Sequence, residues 1–301
     1  MIELKNEKIA IPVVLFAGLI WSFGPLIVRF MNDPHLVPWQ YIFARGLTIF
    51  VLLNLYLFFE EGSKFYKNYF KIGMSGIIGG SGLGIAMITF IYSITNTSAA
   101  VTLLCLAAMP FFTALLGFLF LKEKISLNVW IAIIIATIGI IIIALGNTEK
   151  NSLIGLIFGM SSSIGFSVFS VTLRWRKETP KFTTVAFDGF FCVVISTIFI
   201  LNTGSNFLSS SYNGAMFSLH GTVVCMGMIL YTIGSKAIPA AELTLLSLTE
   251  VMGGIFWVWL PLFGINEVPT TNTIIGGFFL FMSIIHYSLT IKTNRRFIAL
   301  N

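Results

Sequence analysis

Charged residues are scarce in this sequence. Asp, Glu, Lys and Arg make up 10% of the 301 residues, whereas 56% are hydrophobic and the mean hydropathy is +0.93. A soluble domain usually carries about 25% charged residues, and a disordered chain combines low hydrophobicity with high net charge. The composition therefore excludes both classes and predicts an integral membrane protein.

Cysteines and catalytic motifs are equally few. The three cysteines, Cys105, Cys192 and Cys225, lie inside apolar runs and form no CxxC pair, which excludes a disulfide scaffold and predicts packing residues. The sequence contains no HExxH, GxSxG or Walker motif and no His/Cys cluster with metal-ligand spacing. We therefore expect no catalytic residue, no metal and no cofactor, and any transport would be secondary.

Long apolar runs fill the chain instead. A membrane-spanning helix needs about 20 mostly apolar residues, and the sequence predicts an all-α protein of ten such helices, joined by short turns. The predicted helices are 10–31, 37–59, 69–94, 97–121, 126–145, 152–174, 183–202, 213–235, 241–264 and 271–291.

The positive charges follow the predicted connections. With a cytoplasmic N-terminus, about 15 Lys and Arg residues fall on the inner side and about two on the outer side, as the positive-inside rule requires. Both termini are then predicted to be cytoplasmic, and the net charge of +6 reflects topology. We expect membrane lipid and a small molecule as partners and no nucleic acid, because no basic and aromatic module lies outside the membrane. Either a monomer or a homodimer fits the sequence.

The chain also repeats itself. Both 95–123 and 236–267 contain a polar turn, paired alanines, a Leu-rich helix and a glutamate at the far end. This alignment matches Met109-Pro110 with Glu250-Val251, and further back it matches Trp21 with Phe166 and Arg29 with Arg174. Because five helices is an odd number, a second five-helix copy would insert in the opposite orientation. We predict two inverted repeats, 1–148 and 149–301, in one membrane domain.

Several of these features together resemble the EamA-type transporters of the drug/metabolite transporter (DMT) superfamily. They are Trp21 in the first helix, Pro38 and Arg45 in the second, the Thr-Ser-Ala-Ala turn into the fourth, the Lys-Glu-Lys after it, and Glu250 within the ninth. One departure is Glu250-Val251 where the family usually has Glu-Pro, which affects the kink of the ninth helix. The resemblance implies transport of small organic metabolites, often outward, in the inner membrane of a prokaryote.

Three ionisable residues lie inside predicted helices, where charge is costly and by default marks a site or a pathway. They are Arg45, Asp188 and Glu250, of which Glu250 is nearest the predicted midplane. A carboxylate among aromatic rings suits an ammonium group, so we expect a substrate site formed by Glu250, Trp21, Arg45, Tyr41, Tyr92 and Trp257. Arg45 could bind the carboxylate of a zwitterion.

A structural alternative exists for each of these residues. Glu250 could form an ion pair with Arg45, Arg45 could extend to the membrane surface, and Asp188 could be solvated near its helix end. For proton coupling the candidates are Glu250, Asp188, His286 and His220, because histidine titrates near neutrality; a packing role is the alternative for both histidines.

Two further patterns predict helix packing. Gly76, Gly80 and Gly84 share one face of the third helix, and Gly155, Gly159, Ser163 and Ser167 share one face of the sixth. Small residues at this spacing let helices approach closely in lipid. Pro25, Pro110 and Pro261 are expected to kink the helices that contain them.

The sequence thus predicts alternating-access export or exchange of amino acids or related amine-bearing metabolites. One alternative is import of a cationic or aromatic nutrient such as a choline-like amine, a nucleobase or a vitamin. Another is a membrane-embedded transferase.

Overall fold

A computed structural model describes residues 6–122, 125–146, 152–176, 178–265, 267–268, 270–272, 274–279, 281–283 and 285–286. The described residues form helices and connections and contain no strand. The α-helices are α1 (Glu7–Trp21), α2 (Phe23–Arg29), α3 (Pro38–Glu61), α4 (Lys67–Phe70), α5 (Gly73–Asn96), α6 (Ala99–Leu106), α7 (Met109–Leu116), α8 (Leu127–Gly146), α9 (Ser152–Trp175), α10 (Lys181–Thr203), α11 (Ser211–Gly234), α12 (Ala240–Leu246) and α13 (Thr249–Trp259).

Eight helical stretches in the described part are long and apolar enough to cross a membrane. They are Glu7–Arg29, Pro38–Lys64, Gly73–Asn96, Ala99–Leu121, Ile154–Trp175, Lys181–Thr203, Ser211–Gly234 and Ala240–Trp259. Two shorter apolar helices, Leu127–Ile142 and Ile274–Ser283, coincide with the fifth and tenth predicted spans. The multi-pass helical architecture is confirmed, whereas the count of ten and the side of each terminus stay predictions.

Two of the spans are interrupted by two residues near their middle, in addition to the first span, which breaks at the single residue Ser22. The fourth breaks at Ala107–Ala108, between α6 and α7, immediately before Met109-Pro110. The ninth breaks at Ser247–Leu248, between α12 and α13, without a proline. There Ser247 Oγ donates to the Thr244 carbonyl at 2.8 Å and Thr249 Oγ1 to the Leu246 carbonyl at 3.2 Å. Such hydroxyls satisfy backbone groups that an interrupted helix leaves free in lipid.

The three prolines expected to kink helices have different surroundings. Pro110 lies at the start of α7, and Pro25 lies in α2, just after the break at Ser22 that separates it from α1. Pro261 is not inside a helix, because α13 ends at Trp259 and a short 3-10 turn, Pro261–Phe263, follows it. The predicted end of this span at 264 was therefore wrong.

Helices from the two halves of the chain pack against each other. The most extensive contacts join α5 to α9, α3 to α10 and α1 to α11. A Cβ atom at Gly80 would lie 2.8 Å from the Thr184 carbonyl oxygen of α10, and one at Gly159 would lie 2.7 Å from Cβ of Cys105. The predicted small-residue faces are thus confirmed as close helix contacts, which draw both halves around one interior.

Candidate functional site

The interior between the halves contains a cavity with an empty volume of about 450 Å³. The breaks in the fourth and ninth spans both reach it, since Met109 and Glu250 are among its walls. Its lining consists of Trp21, Arg45, Ala86, Met87, Phe90, Leu106, Met109, Ser162, Phe166, His220, Val224, Met228 and Glu250. Most of this surface is apolar, with one acidic and one basic side chain, which is the usual composition of a small-molecule site.

Glu250 is the acidic group of the cavity. It lies in the first turn of α13, two residues after the break at Ser247–Leu248, and its side chain is partly buried. Among the described residues it has no ion-pair partner, so the structural alternative, an ion pair with Arg45, is not formed here. A carboxylate held at a helix start in an apolar cavity is suited to a ligand that brings a positive charge.

Arg45 is the basic group. Its side chain is only 3% exposed, so the alternative in which it extends to the membrane surface is wrong. Nη2 donates to the Met87 sulfur at 2.8 Å, and the guanidinium carbon lies 5.6 Å from the centre of the Phe90 ring. Nε and Nη1 are buried without a hydrogen-bond partner. Two unused donors in this position could bind a carboxylate of the ligand.

Aromatic rings form the wall on the side of α1. Trp21 Nε1 donates to the Val224 carbonyl at 3.1 Å, and the indole meets the Phe166 ring edge-to-face at 5.8 Å and the Tyr231 ring at 5.4 Å. With its one donor used by the backbone, Trp21 presents ring surface to the cavity. Aromatic faces attract cations and apolar groups.

His220 lines the cavity together with these residues. Its Nδ1 is hydrogen-bonded to the hydroxyl of Tyr41, which is fully buried behind it and stacks on Phe217 at 4.6 Å. Tyr41 thus supports the wall rather than forming it. The other ring nitrogen, Nε2, faces Gly24, where a Cβ atom would lie 2.8 Å from it.

The other candidates from the sequence lie outside the lining. Tyr92 packs against Trp39 and Phe158, and Trp257 stacks on Phe23 at 4.7 Å while its Nε1 donates to Ser22 Oγ at 2.8 Å. His286 lies near the C-terminal end of the described residues, away from the cavity lining.

Asp188 also lies outside the lining, but in α10 next to α3. Its side chain is completely buried, so the alternative of a solvated position near the helix end is wrong. Its carboxylate accepts a hydrogen bond from Cys192 Sγ at 3.5 Å.

Several residues of the cavity lining could not be recognised from the sequence as site residues. The methionines Met87, Met109 and Met228 and the hydroxyl of Ser162 belong to apolar helix faces that look like ordinary packing surfaces. Phe166 was marked only indirectly, because the alignment of the two halves matches it with Trp21. Both rings do line the cavity, as do the matched residues Met109 and Glu250.

Arg29 and Arg174, also matched by that alignment, make similar contacts. Arg29 donates to the carbonyls of Ile94 and Thr97 at the end of α5, at 3.1 and 3.2 Å. Arg174 donates to the carbonyls of Ser235 and Ile238 just after α11, at 3.4 and 2.6 Å. Arg29 also pairs with Glu267 at 2.5 Å, whereas Glu123 lies outside the described residues.

Comparison with known proteins places this architecture in a family. The EamA-like transporter family matches residues 8–145. The first half of the chain is thus similar to EamA-like transporters. The resemblance seen in the sequence is thereby confirmed, and relatives named as transporters extend it over most of the chain.

Among these relatives is an uncharacterized transporter of Helicobacter pylori strain J99. It is 27% identical over 82% of this chain and 84% of its own length. The pseudopaline exporter CntI of Pseudomonas aeruginosa is 23% identical over 68% of this chain and 72% of its own. A solved crystal structure with 14% identity covers 96% of this chain and 99% of its own, with a TM-score of 0.71, and shows a shared fold. The protein is thus a multi-pass membrane transporter of small molecules.

Proposed function

We propose that this EamA-type protein is a secondary transporter that exports or exchanges amino acids or related amine-bearing metabolites by alternating access. Ten helices in two inverted repeats, with both termini in the cytoplasm of a prokaryotic cell, would enclose the cavity. The recurrence of matched residues in both halves and the contacts between halves support this architecture. Inverted-repeat transporters bind substrate near the membrane midplane, between the repeats.

One observation carries the choice of substrate. Glu250 and Arg45 line the same cavity, and neither is paired with the other. A zwitterion supplies a partner for each, since its ammonium group can bind Glu250 and its carboxylate can bind the free donors of Arg45. Trp21, Phe90 and Phe166 would then surround the apolar part of the ligand.

The outward direction has separate support. A relative that matches two thirds of this chain is named as an exporter, and the resemblance to EamA-type transporters implies the same. The aromatic walls would also suit import of a cationic or aromatic nutrient. Flux measured from each side of a liposome membrane separates these possibilities.

A ligand screen followed by flux tests this function. Purified protein is heated with amino acids, amines, nucleobases and vitamins, since a ligand that binds the folded state raises the unfolding temperature. We expect amine-bearing compounds to raise it, and Glu250→Gln to remove that effect. The control is Glu60→Gln, which neutralises an exposed glutamate outside the cavity. Protein-only liposomes then show whether the stabilising compound crosses unchanged.

Two results would contradict the proposal. Stabilisation by amine-bearing compounds that persists in Glu250→Gln would exclude Glu250 from the site. A ligand recovered with a new mass would indicate a transferase. Proton coupling through Glu250, Asp188, His220 or His286 stays a prediction, tested by imposing a pH gradient on the same liposomes.

A further inference from the structure

A second, smaller cavity of about 180 Å³ also has Arg45 in its wall. Arg45 and Met87 belong to the walls of both cavities, and Cys192 of α10 lines only the smaller one. The thiol of Cys192 donates to Asp188 Oδ1 at 3.5 Å, whereas Asp188 Oδ2 is buried without a hydrogen-bond partner. Arg45 is thus shared by the cavity that contains Glu250 and by the cavity that contains Cys192, the hydrogen-bond donor of Asp188.

The packing of α3 on α10 explains how these charges come together. The two helices touch at Gly46 and Gly189, where a Cβ atom on either residue would lie within 3.1 Å of the backbone oxygen of the other. Arg45 directly precedes one of these glycines and Asp188 directly precedes the other. The two halves thus place opposite charges at equivalent positions of the same helix crossing.

These buried polar atoms are only partly satisfied. Two nitrogens of Arg45 and one oxygen of Asp188 have no hydrogen-bond partner, and Arg45 is ion-paired with neither carboxylate among the described residues. Isolated charges in a low-dielectric interior are costly, so a carboxylate there is stabilised by a counter-charge or becomes neutral by taking a proton. One cation can neutralise only one of two carboxylates.

We propose that Asp188 and Glu250 share a single proton, with the charge of Arg45 balancing whichever carboxylate lacks it. This inference rests on the proposed function and extends it to Asp188 as a second ionisable site. In the empty protein the charge of Arg45 balances that of Asp188 without a direct ion pair, and Glu250 holds the proton. When a zwitterion binds, its ammonium group pairs with Glu250, its carboxylate pairs with Arg45, and the proton passes to Asp188.

The shared proton makes proton release depend on the charge of the ligand. A zwitterion only moves the proton from one carboxyl group to the other, so none is released. An amine that lacks a carboxylate leaves the charge of Asp188 balanced by Arg45 and displaces the proton of Glu250 to the solvent. The same site would then exchange protons for cationic amines and carry zwitterions without net proton movement.

The other ionisable groups near these carboxylates are counted as uncharged in the proton and charge balance of Asp188, Glu250 and Arg45. They are Cys192 on the helix of Asp188, Cys225 on α11 within electrostatic range of Asp188, and His220 with its partner Tyr41. Helix α5 contributes the Gly84 carbonyl, which accepts from Cys192 at 3.7 Å. His220 is counted as a neutral ring, because a second cation beside Arg45 would exceed the available counter-charge.

Infrared spectroscopy tests this without any ligand. Protonated carboxyl groups absorb separately from carboxylates, and each band is identified by its loss in a variant. We expect one buried protonated carboxyl group in the wild type and in Glu60→Gln. None is expected in Asp188→Asn or in Glu250→Gln, because Arg45 then neutralises the remaining carboxylate. Two are expected in Arg45→Gln.

Two infrared results would contradict the proposal. A protonated carboxyl group that persists in Asp188→Asn, or is missing from the wild type, would overturn the shared proton. Elution as a single species and an unchanged unfolding temperature show that a variant is folded. Should Arg45→Gln fail to fold, the two carboxyl variants still decide.

Matched ligands provide the second test. L-Leucine and 3-methylbutylamine differ only by the carboxylate. We expect the amine to release about one proton on binding and leucine none. Asp188→Asn should weaken amine binding at least about tenfold and leucine binding less than about threefold, because the amine alone would leave Arg45 without a counter-charge.

Equal weakening of both ligands, or equal proton release, would overturn the shared proton while leaving the proposed function intact. If neither ligand binds the wild type and the amine-bearing compounds of the thermal screen also fail, the proposed function loses its substrate class. The infrared result then decides the shared proton by itself.

Discussion

The two interrupted spans have the same construction and different chemistry. In the first half the break at Ala107–Ala108 is followed by Met109 and Pro110, and in the second half the break at Ser247–Leu248 is followed by Thr249 and Glu250. Both breaks bring a side chain to the cavity, but only Glu250 is ionisable. Each half of the chain thus brings one helix break to the cavity, and only the second half places an acid there.

The largest effect on ligand affinity is expected when Glu250, the ionisable residue at the second break, is replaced by an apolar residue. Glu250→Leu is expected to lower the affinity for an amine-bearing ligand by about 10- to 100-fold, because a hydrogen bond to a charged group contributes about 1.5–3 kcal/mol. Met109→Leu, at the matched position, should change it less than about threefold, since its volume is conserved. Ligand titration of both variants checks this, and similar losses would show that the breaks contribute equally.

The stability of Glu250→Leu is not expected to fall with its ligand affinity. Without ligand, Glu250→Leu should unfold at the same or a higher temperature, because a carboxyl group in the membrane interior is costly even when it holds a proton. A clear decrease would indicate that Glu250 has a structural role.

An intermediate effect is expected at the matched arginines. Arg29→Met and Arg174→Met should each lower the free energy of unfolding by about 2 kcal/mol, since each breaks charged hydrogen bonds to the carbonyls at a helix end. Because the two sites share no residue, the double variant should equal the sum within about 0.5 kcal/mol. Denaturation in detergent measures this, and a strong departure from additivity would show that the two helix ends are coupled.

The smallest effect is expected at the break that has no proline. Thr249→Val removes a hydroxyl that donates to the carbonyls of Leu246 and Leu15, both at 3.2 Å. Hydrogen bonds between membrane helices average about 0.6 kcal/mol, so a loss of this size is expected. Thr203→Val is the control, because its hydroxyl bonds within its own exposed helix turn. An equal loss of stability in both variants would show that the Thr249 hydroxyl has no specific role at the break.

The sequence was most informative where one residue type has one physical meaning in lipid. Long apolar runs can only be satisfied as helices, so most spans and their bounds followed from composition. Glu250, Arg45, Trp21 and His220 were found because polar and large aromatic groups are conspicuous in such runs, and all four line the cavity. Tyr92 and Trp257 are equally conspicuous in the apolar runs, but they pack against rings outside the cavity lining.

The tertiary structure decided what depends on which helices meet. Asp188 is read from the sequence as close to a helix end, yet the contact of Gly46 with Gly189 buries it beside Arg45. No proline marks the break at Ser247 in the sequence, and of the hydroxyl bonds at this break only that of Thr249 to the Leu15 carbonyl depends on the tertiary structure. Met87, Met109 and Met228 line the cavity because of how the helices pack. The sequence does not show whether an apolar helix face contacts another helix or a cavity. The sequence alone determined that the chain lies in a membrane and which residues are costly there. Only the packing of one half on the other determined which of them share a cavity, because that requires contacts between residues distant in the chain.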